Sequence, residues 1–79
     1  MACEHVGGPE LIQMAEEHLR SKAVAESKWP GLRFRYTQNL EEGMWACVIT
    51  EIERRGDQWI VTRLDRKKEQ EPETGFRAL

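Results

Sequence analysis

A change in hydrophobic periodicity at Pro30-Gly31 constrains the fold more than any other feature of the sequence. Before this point, apolar side chains recur at the spacing of one face of a helix. After it, they alternate with the period of two that is typical of β-strands. A chain that changes period in this way is expected to form a helix followed by a sheet, the arrangement of an α+β domain.

The segment before Pro30 has the start, the periodicity and the end of an amphipathic helix. Pro9 suits the first helical turn because its missing N–H would have no partner there, and Glu10 complements the helix dipole. Pro30 disfavours the helical conformation at Trp29, so the helix must end before it. We therefore predict a helix over about residues 9–27. Its apolar arc consists of Leu11, Ile12, Ala15, Leu19 and Ala23.

Three later segments are predicted to form antiparallel strands, at about residues 32–37, 44–53 and 58–65. Arg54 to Asp57 joins the second and third strands as a hairpin loop, in which Gly56 is the natural residue for a positive φ. The predicted architecture is αβββ, one N-terminal amphipathic helix packed on a three-stranded antiparallel β-meander. Residues 1–66 would form this single domain.

Charge decides between two registers of the predicted hairpin. A two-residue loop would place Arg63 and Asp65 on the same face as Val48. A three-residue loop leaves that face without charge, because a slip of one residue reverses every side chain. We therefore expect the three-residue loop. The predicted core is Leu11, Ile12, Ala15, Leu19, Phe34, Val48, Ile52, Ile60 and Leu64.

In this register the second face of the hairpin is more apolar than a solvated sheet face requires. Its candidate interface residues are Trp45, Ile49, Trp59 and Val61. One helix covers only one side of a small sheet, and exposed apolar patches often mark interfaces. Tryptophan is also enriched among binding hot spots. The alternative is that the long stems of Arg33 and Arg63 screen the two tryptophans.

The chain after Arg66 is predicted to be a mobile, charged C-terminal tail over residues 67–79. It is rich in charge, lacks periodicity and is interrupted by Pro72. We expect the fold to survive deletion of this tail. Whether Phe76 and Leu79 dock on the domain stays open at this point.

Length and charge limit the classes of function. A chain of 79 residues forms one domain and is too short to enclose a large cavity, so a sizeable site must lie on the surface or between subunits. The net charge is -2 and no segment has a strong basic excess, which disfavours nucleic-acid binding. That function is kept as the alternative, with Arg33, Arg35 and Tyr36 as the contact residues.

Neither a secretory signal nor a membrane segment is expected. Met1 to Pro9 lack the basic region and the following apolar region of a signal peptide. The longest apolar run, Met44 to Ile49, is far shorter than a bilayer span. We expect a soluble cytoplasmic protein.

No motif specifies a reaction or a cofactor. Cys3, His5, His18 and Cys47 are the candidate soft metal ligands, but a zinc site needs four ligands with close-spaced pairs, and Cys3-x-His5 is the one such pair. We expect no metal, no cofactor and no enzymatic activity. The leading hypothesis is a protein-interaction module that uses an apolar sheet face or a strand edge to bind itself or another protein.

Overall fold

A computed structural model describes residues 6–79. One α-helix packs on one face of a four-stranded antiparallel sheet with strand order β3-β2-β1-β4. The expected α+β class, a helix packed on an antiparallel sheet, is confirmed. The elements are α1 (Gly8–Ser21), a 3-10 turn (Glu26–Lys28), β1 (Arg33–Asn39), β2 (Cys47–Arg55), β3 (Gln58–Lys67) and β4 (Gly75–Ala78).

The helix ends earlier than predicted, because the chain turns at Ala23. This residue has a φ of 57°, in the left-handed region that stops a helix. The N–H of the next residue, Val24, still bonds the carbonyl of Leu19 at 2.9 Å. The chain then returns toward the core, where the indole of Trp29 donates to the Val24 carbonyl at 3.0 Å.

The predicted three-strand meander with a mobile tail was wrong in its strand count. Gly75–Ala78 forms β4, which pairs antiparallel with β1 from Phe34↔Ala78 to Thr37↔Gly75. The ring of Phe76 stacks on Phe34 with centroids 5.4 Å apart. The physical reason is that β1 would otherwise leave one row of backbone groups unpaired, and β4 satisfies them.

The connection between β3 and β4 crosses the sheet, because these strands lie at opposite edges. We call residues 68–74 the crossover segment. Asn39 fixes it with two hydrogen bonds: its Nδ2 donates to the Glu71 carbonyl at 2.9 Å, and the Glu71 N–H donates to its Oδ1 at 3.0 Å. The crossover segment thus lies against the face that α1 leaves open, where Cys47 and Ile49 are buried.

The predicted three-residue hairpin loop was also wrong. Arg55 pairs with Gln58, so Gly56 and Asp57 form a two-residue loop. A β-bulge supplies the odd residue instead: Ile52 pairs with Val61, whereas Glu51 pairs with Arg63. A bulge shifts the register within a strand, so Arg63 and Asp65 lie on the open face although the loop is short. Arg54 remains on the helix-facing side, where it is buried and pairs with Glu16 of α1.

Most of the predicted core is confirmed. Leu11, Ala15, Leu19, Phe34, Val48 and Ile52 are buried. Ile12 and Ile60 are half-buried, and Leu64 is 47% exposed because β3 is the edge strand farthest from β4. Trp29 is fully buried and belongs to the core, which the sequence reasoning missed. No helix within residues 6–79 has the length and apolar character needed to cross a membrane.

Candidate functional site

A cleft of about 420 Å³ lies on the sheet face opposite α1, beside the crossover segment. Thr37 and Ile49 contribute to its lining from the sheet. Three guanidinium groups surround it, those of Arg35, Arg63 and Arg77. We call this feature the arginine cleft. It is an open surface site, as expected for a chain of this length.

Strand register brings the arginines together. Arg63 on β3 pairs with Glu51 on β2, which pairs with Arg35 on β1. Arg35 in turn pairs with Arg77 on β4. Directly paired residues project from the same face of a sheet. The result is a continuous row, Arg63–Glu51–Arg35–Arg77, that crosses all four strands.

Glu51 is the buried acid of this row, with 4% of its surface exposed. It accepts hydrogen bonds from Arg35 Nε at 2.8 Å, Arg63 Nη1 at 3.0 Å and Arg33 Nη2 at 3.4 Å. Burial by itself raises the pKa of Glu51, but hydrogen bonds and charges from Arg35 and Arg63 outweigh it, so the pKa lies below its usual value. Glu51 is therefore ionised and orients the arginines.

Other acids neutralise the arginines in part. Arg63 Nε donates to Asp65 Oδ2 at 2.5 Å, and this bond, with that to Glu51, raises the pKa of Arg63. Arg77 Nη1 donates to Glu73 at 2.9 Å, but the Glu73 side chain is 80% exposed. A guanidinium has five N–H donors, so each arginine keeps donors beyond these bonds. Such planar forks match carboxylate oxygens in a bidentate arrangement.

The four candidate interface residues do not share one face. Ile49 is buried at the arginine cleft, and Trp59 lies on the α1 side, where its Nε1 donates to Glu16 at 3.0 Å. Val61 is 47% exposed beside Gly8 at the start of α1. Trp45 precedes β2, with its ring centroid 5.8 Å from Lys68 Nζ. The bulge separates them, because it gives the two ends of the hairpin different registers.

Of the three residues predicted to contact nucleic acid in the alternative function, the structure brings two together. Arg33 and Arg35 lie on the open face, as strict alternation predicted, and both contact Glu51. Tyr36 lies on the opposite face, half-buried against the core. Sequence reasoning missed Arg77, because nothing periodic in the tail indicated a strand.

Metal ligands are not assembled in the described part of the chain. Among residues 6–79, no group of three or more His, Cys, Asp or Glu side chains is arranged to hold a metal ion. His18 packs its ring against Phe34 and Phe76, and Cys47 is buried. Cys3 and His5 lie outside the described residues.

Comparisons of the chain with protein-family models, curated proteins and solved structures gave no match. Fold alone does not imply function, so the function must be argued from a site. The arginine cleft is the site that offers chemistry.

Proposed function

We propose that the protein is a small non-enzymatic interaction module that binds a carboxylate side chain of a partner protein in the arginine cleft. One observation carries this proposal: Arg35 and Arg77 lie directly opposite each other on β1 and β4. Like charges in such a pair destabilise a sheet. Glu51 compensates Arg35 from the other side, and the exposed Glu73 compensates Arg77 in part. A bound carboxylate would add to this compensation from the cleft.

The size and the chemistry of the cleft support binding over catalysis. Its volume of about 420 Å³ lies toward the lower end of ligand pockets, enough for one or a few side chains. Arginine stays protonated in proteins, so it does not act as a general base. The nearby carboxylates of Glu71 and Glu73 are ion-paired with Lys67 and Arg77.

Nucleic-acid binding through Arg33 and Arg35 is the second candidate, because phosphate oxygens suit the same guanidinium groups. One observation favours a protein carboxylate. The net charge of the chain is -2, whereas nucleic-acid binding usually accompanies a basic excess.

The test is titration of the protein with an acetylated, amidated hexaglutamate peptide, followed by calorimetry and amide NMR. We expect binding that weakens with added salt, and changes in the amide chemical shifts of Arg35, Arg63 and Arg77. Hexaglutamine should cause no such changes. Arg77→Gln should weaken binding about tenfold, because a charge-assisted hydrogen bond is lost. Arg55→Gln is the matched control, since Arg55 is similarly exposed and paired but lies near the hairpin loop.

Two results would overturn the proposal. Equal weakening in Arg55→Gln and Arg77→Gln would show that only overall charge matters. If a single-stranded RNA hexamer binds more tightly than hexaglutamate, and Arg33→Gln weakens the binding of the RNA, the nucleic-acid function would be favoured.

A further inference from the structure

The outer edge of β4 is open in the described part of the chain, because β4 is the last strand on its side of the sheet. The N–H of Leu79 donates to the Arg33 carbonyl at 2.9 Å. Backbone groups alternate in direction along an antiparallel strand. The N–H and C=O of Arg77 therefore face β1, and those of Phe76 and Ala78 face outward.

A cavity flanks this edge on each face of the sheet. On the open face, the arginine cleft reaches β4 at Gly75 and Arg77. On the other face, a shallow, wide-open groove of about 390 Å³ lies between α1 and β4 and is lined by Met14, Glu17, His18, Ser21 and Phe76. We call it the α1–β4 groove. Successive residues of β4 thus contribute to different cavities.

We infer that the partner segment binds as an extended strand added to the free edge of β4. Its acidic side chain would enter the arginine cleft, and the adjacent apolar side chain would enter the α1–β4 groove. Alternation of side chains along a strand supplies this pattern, and main-chain hydrogen bonds to Phe76 and Ala78 supply affinity. This inference rests on the proposed function and adds the conformation and sequence pattern of the ligand.

The β4 edge suits strand addition better than the β3 edge. β3 contains the bulge between its pairs with Glu51 and Ile52, and its C-terminal half, Arg63 to Lys67, is rich in charge. Bulges and charges are devices that protect an edge from pairing. β4 is regularly paired and carries one charge, on Arg77.

Charge selects an acidic partner over a second copy of the chain. Joining two β4 strands would place both Arg77 side chains on one face of a continuous sheet, close to each other. Like charges opposed in this way are destabilising. An acidic side chain at the same position would instead contact Arg77 favourably.

The experiment uses two acetylated, amidated peptides of equal composition, Val-Glu-Val-Glu-Val and Val-Val-Val-Glu-Glu. We expect the alternating peptide to bind more tightly and to slow amide exchange at Phe76 and Ala78. N-methylation of its backbone should weaken binding about tenfold, because main-chain hydrogen bonds are lost. Ala78→Pro should do the same, since it removes an outward N–H and proline is tolerated at sheet edges.

Ala78→Ser is the matched control, because it keeps the N–H, and amide spectra of both variants check the fold. If Ala78→Pro unfolds, the N-methylated peptide still tests the inference with the unaltered chain. If N-methylation leaves the binding of the peptide unchanged while Arg77→Gln weakens it, the strand inference is overturned and the proposed function still stands. Binding of hexaglutamate that does not depend on Arg77 overturns both. The protein could instead form a dimer. If Ala78→Pro dissociates that dimer but the alternating peptide does not, a second copy of the chain occupies the edge.

Discussion

Glu51 links three strands of the sheet through its side chain. It projects from β2 and accepts hydrogen bonds from Arg33 and Arg35 on β1 and from Arg63 on β3. Hydrogen bonds to a charged group are stronger than neutral ones. Since Glu51 is 4% exposed, its carboxylate depends on these partners for compensation.

Acid should therefore destabilise the fold through Glu51. Its pKa is lowered in the folded protein, so the ionised form contributes stability above the usual value of 4.5, and this is lost as the pH falls through the folded pKa. We expect Glu51→Gln to cost about 1.5–3 kcal/mol at neutral pH and to flatten the decline below 4.5. Urea unfolding across this range measures both effects.

Glu53→Gln is the control for this prediction, because Glu53 lies on the same strand and face but pairs at 3.5 Å with the exposed Arg55. It should cost less stability at neutral pH than Glu51→Gln, because its ion pair is long and exposed. Parallel pH profiles for Glu51→Gln and the parent chain would contradict the role given to Glu51.

Trp29 is a second residue on which stability depends. It is fully buried, its Nε1 donates to the Val24 carbonyl at 3.0 Å, and the Arg54 guanidinium lies 5.2 Å from its ring centroid. Trp29→Phe should cost about 1–3 kcal/mol, because the part-buried Val24 carbonyl loses its donor. Trp45→Phe, outside the core, should cost less. Equal midpoints for these two variants in urea would argue against a structural role for the indole hydrogen bond.

At the level of elements, β4 matters because it contributes to both faces of the sheet. Phe76 lies on the α1 side, with centroid distances of 5.4 Å to Phe34 and 5.5 Å to His18. Arg77 lies on the open face and lines the arginine cleft. The strand therefore joins the core to the candidate site.

Phe76→Ala should destabilise the fold by about 1–1.5 kcal/mol, roughly half of the value for a fully buried side chain, because Phe76 is half-buried. Leu79→Ala is the control, since Leu79 is 47% exposed and an exposed site usually changes stability by less than about 0.5 kcal/mol. Chemical denaturation gives both values. If Phe76→Ala were as stable as Leu79→Ala, the original expectation of a dispensable tail would be correct after all.

For the molecule as a whole, the crossover segment connects the two sheet edges and borders the cleft. Asn39→Ala removes both hydrogen bonds to Glu71 and should cost about 1–3 kcal/mol. Amide exchange over residues 69–74 should accelerate, and hexaglutamate should bind more weakly. Gln70→Ala is the control, because its bond to the Leu40 carbonyl is exposed and long, at 3.5 Å. Unchanged exchange in Asn39→Ala would contradict this anchoring role.

The sequence alone determined the features that depend on neighbouring residues. Pro9 indicated the start of the helix, which begins at Gly8, and alternation assigned Phe34 to the core and Arg33 and Arg35 to the open face. The contribution of Arg35 to the candidate site was therefore predictable, since a basic strand face needs only the period of β1.

Tertiary structure decided what depends on residues far apart in the chain. The bulge places Arg63 opposite Glu51, and the pairing of β4 with β1 after the crossover segment places Arg77 beside Arg35. The four residues of β4 are too few to show a periodicity in the sequence. They form a strand because they pair with the otherwise unpaired edge of β1 and because the ring of Phe76 stacks on that of Phe34. The cleft takes its lining from all four strands and the crossover segment, so no local pattern could predict it.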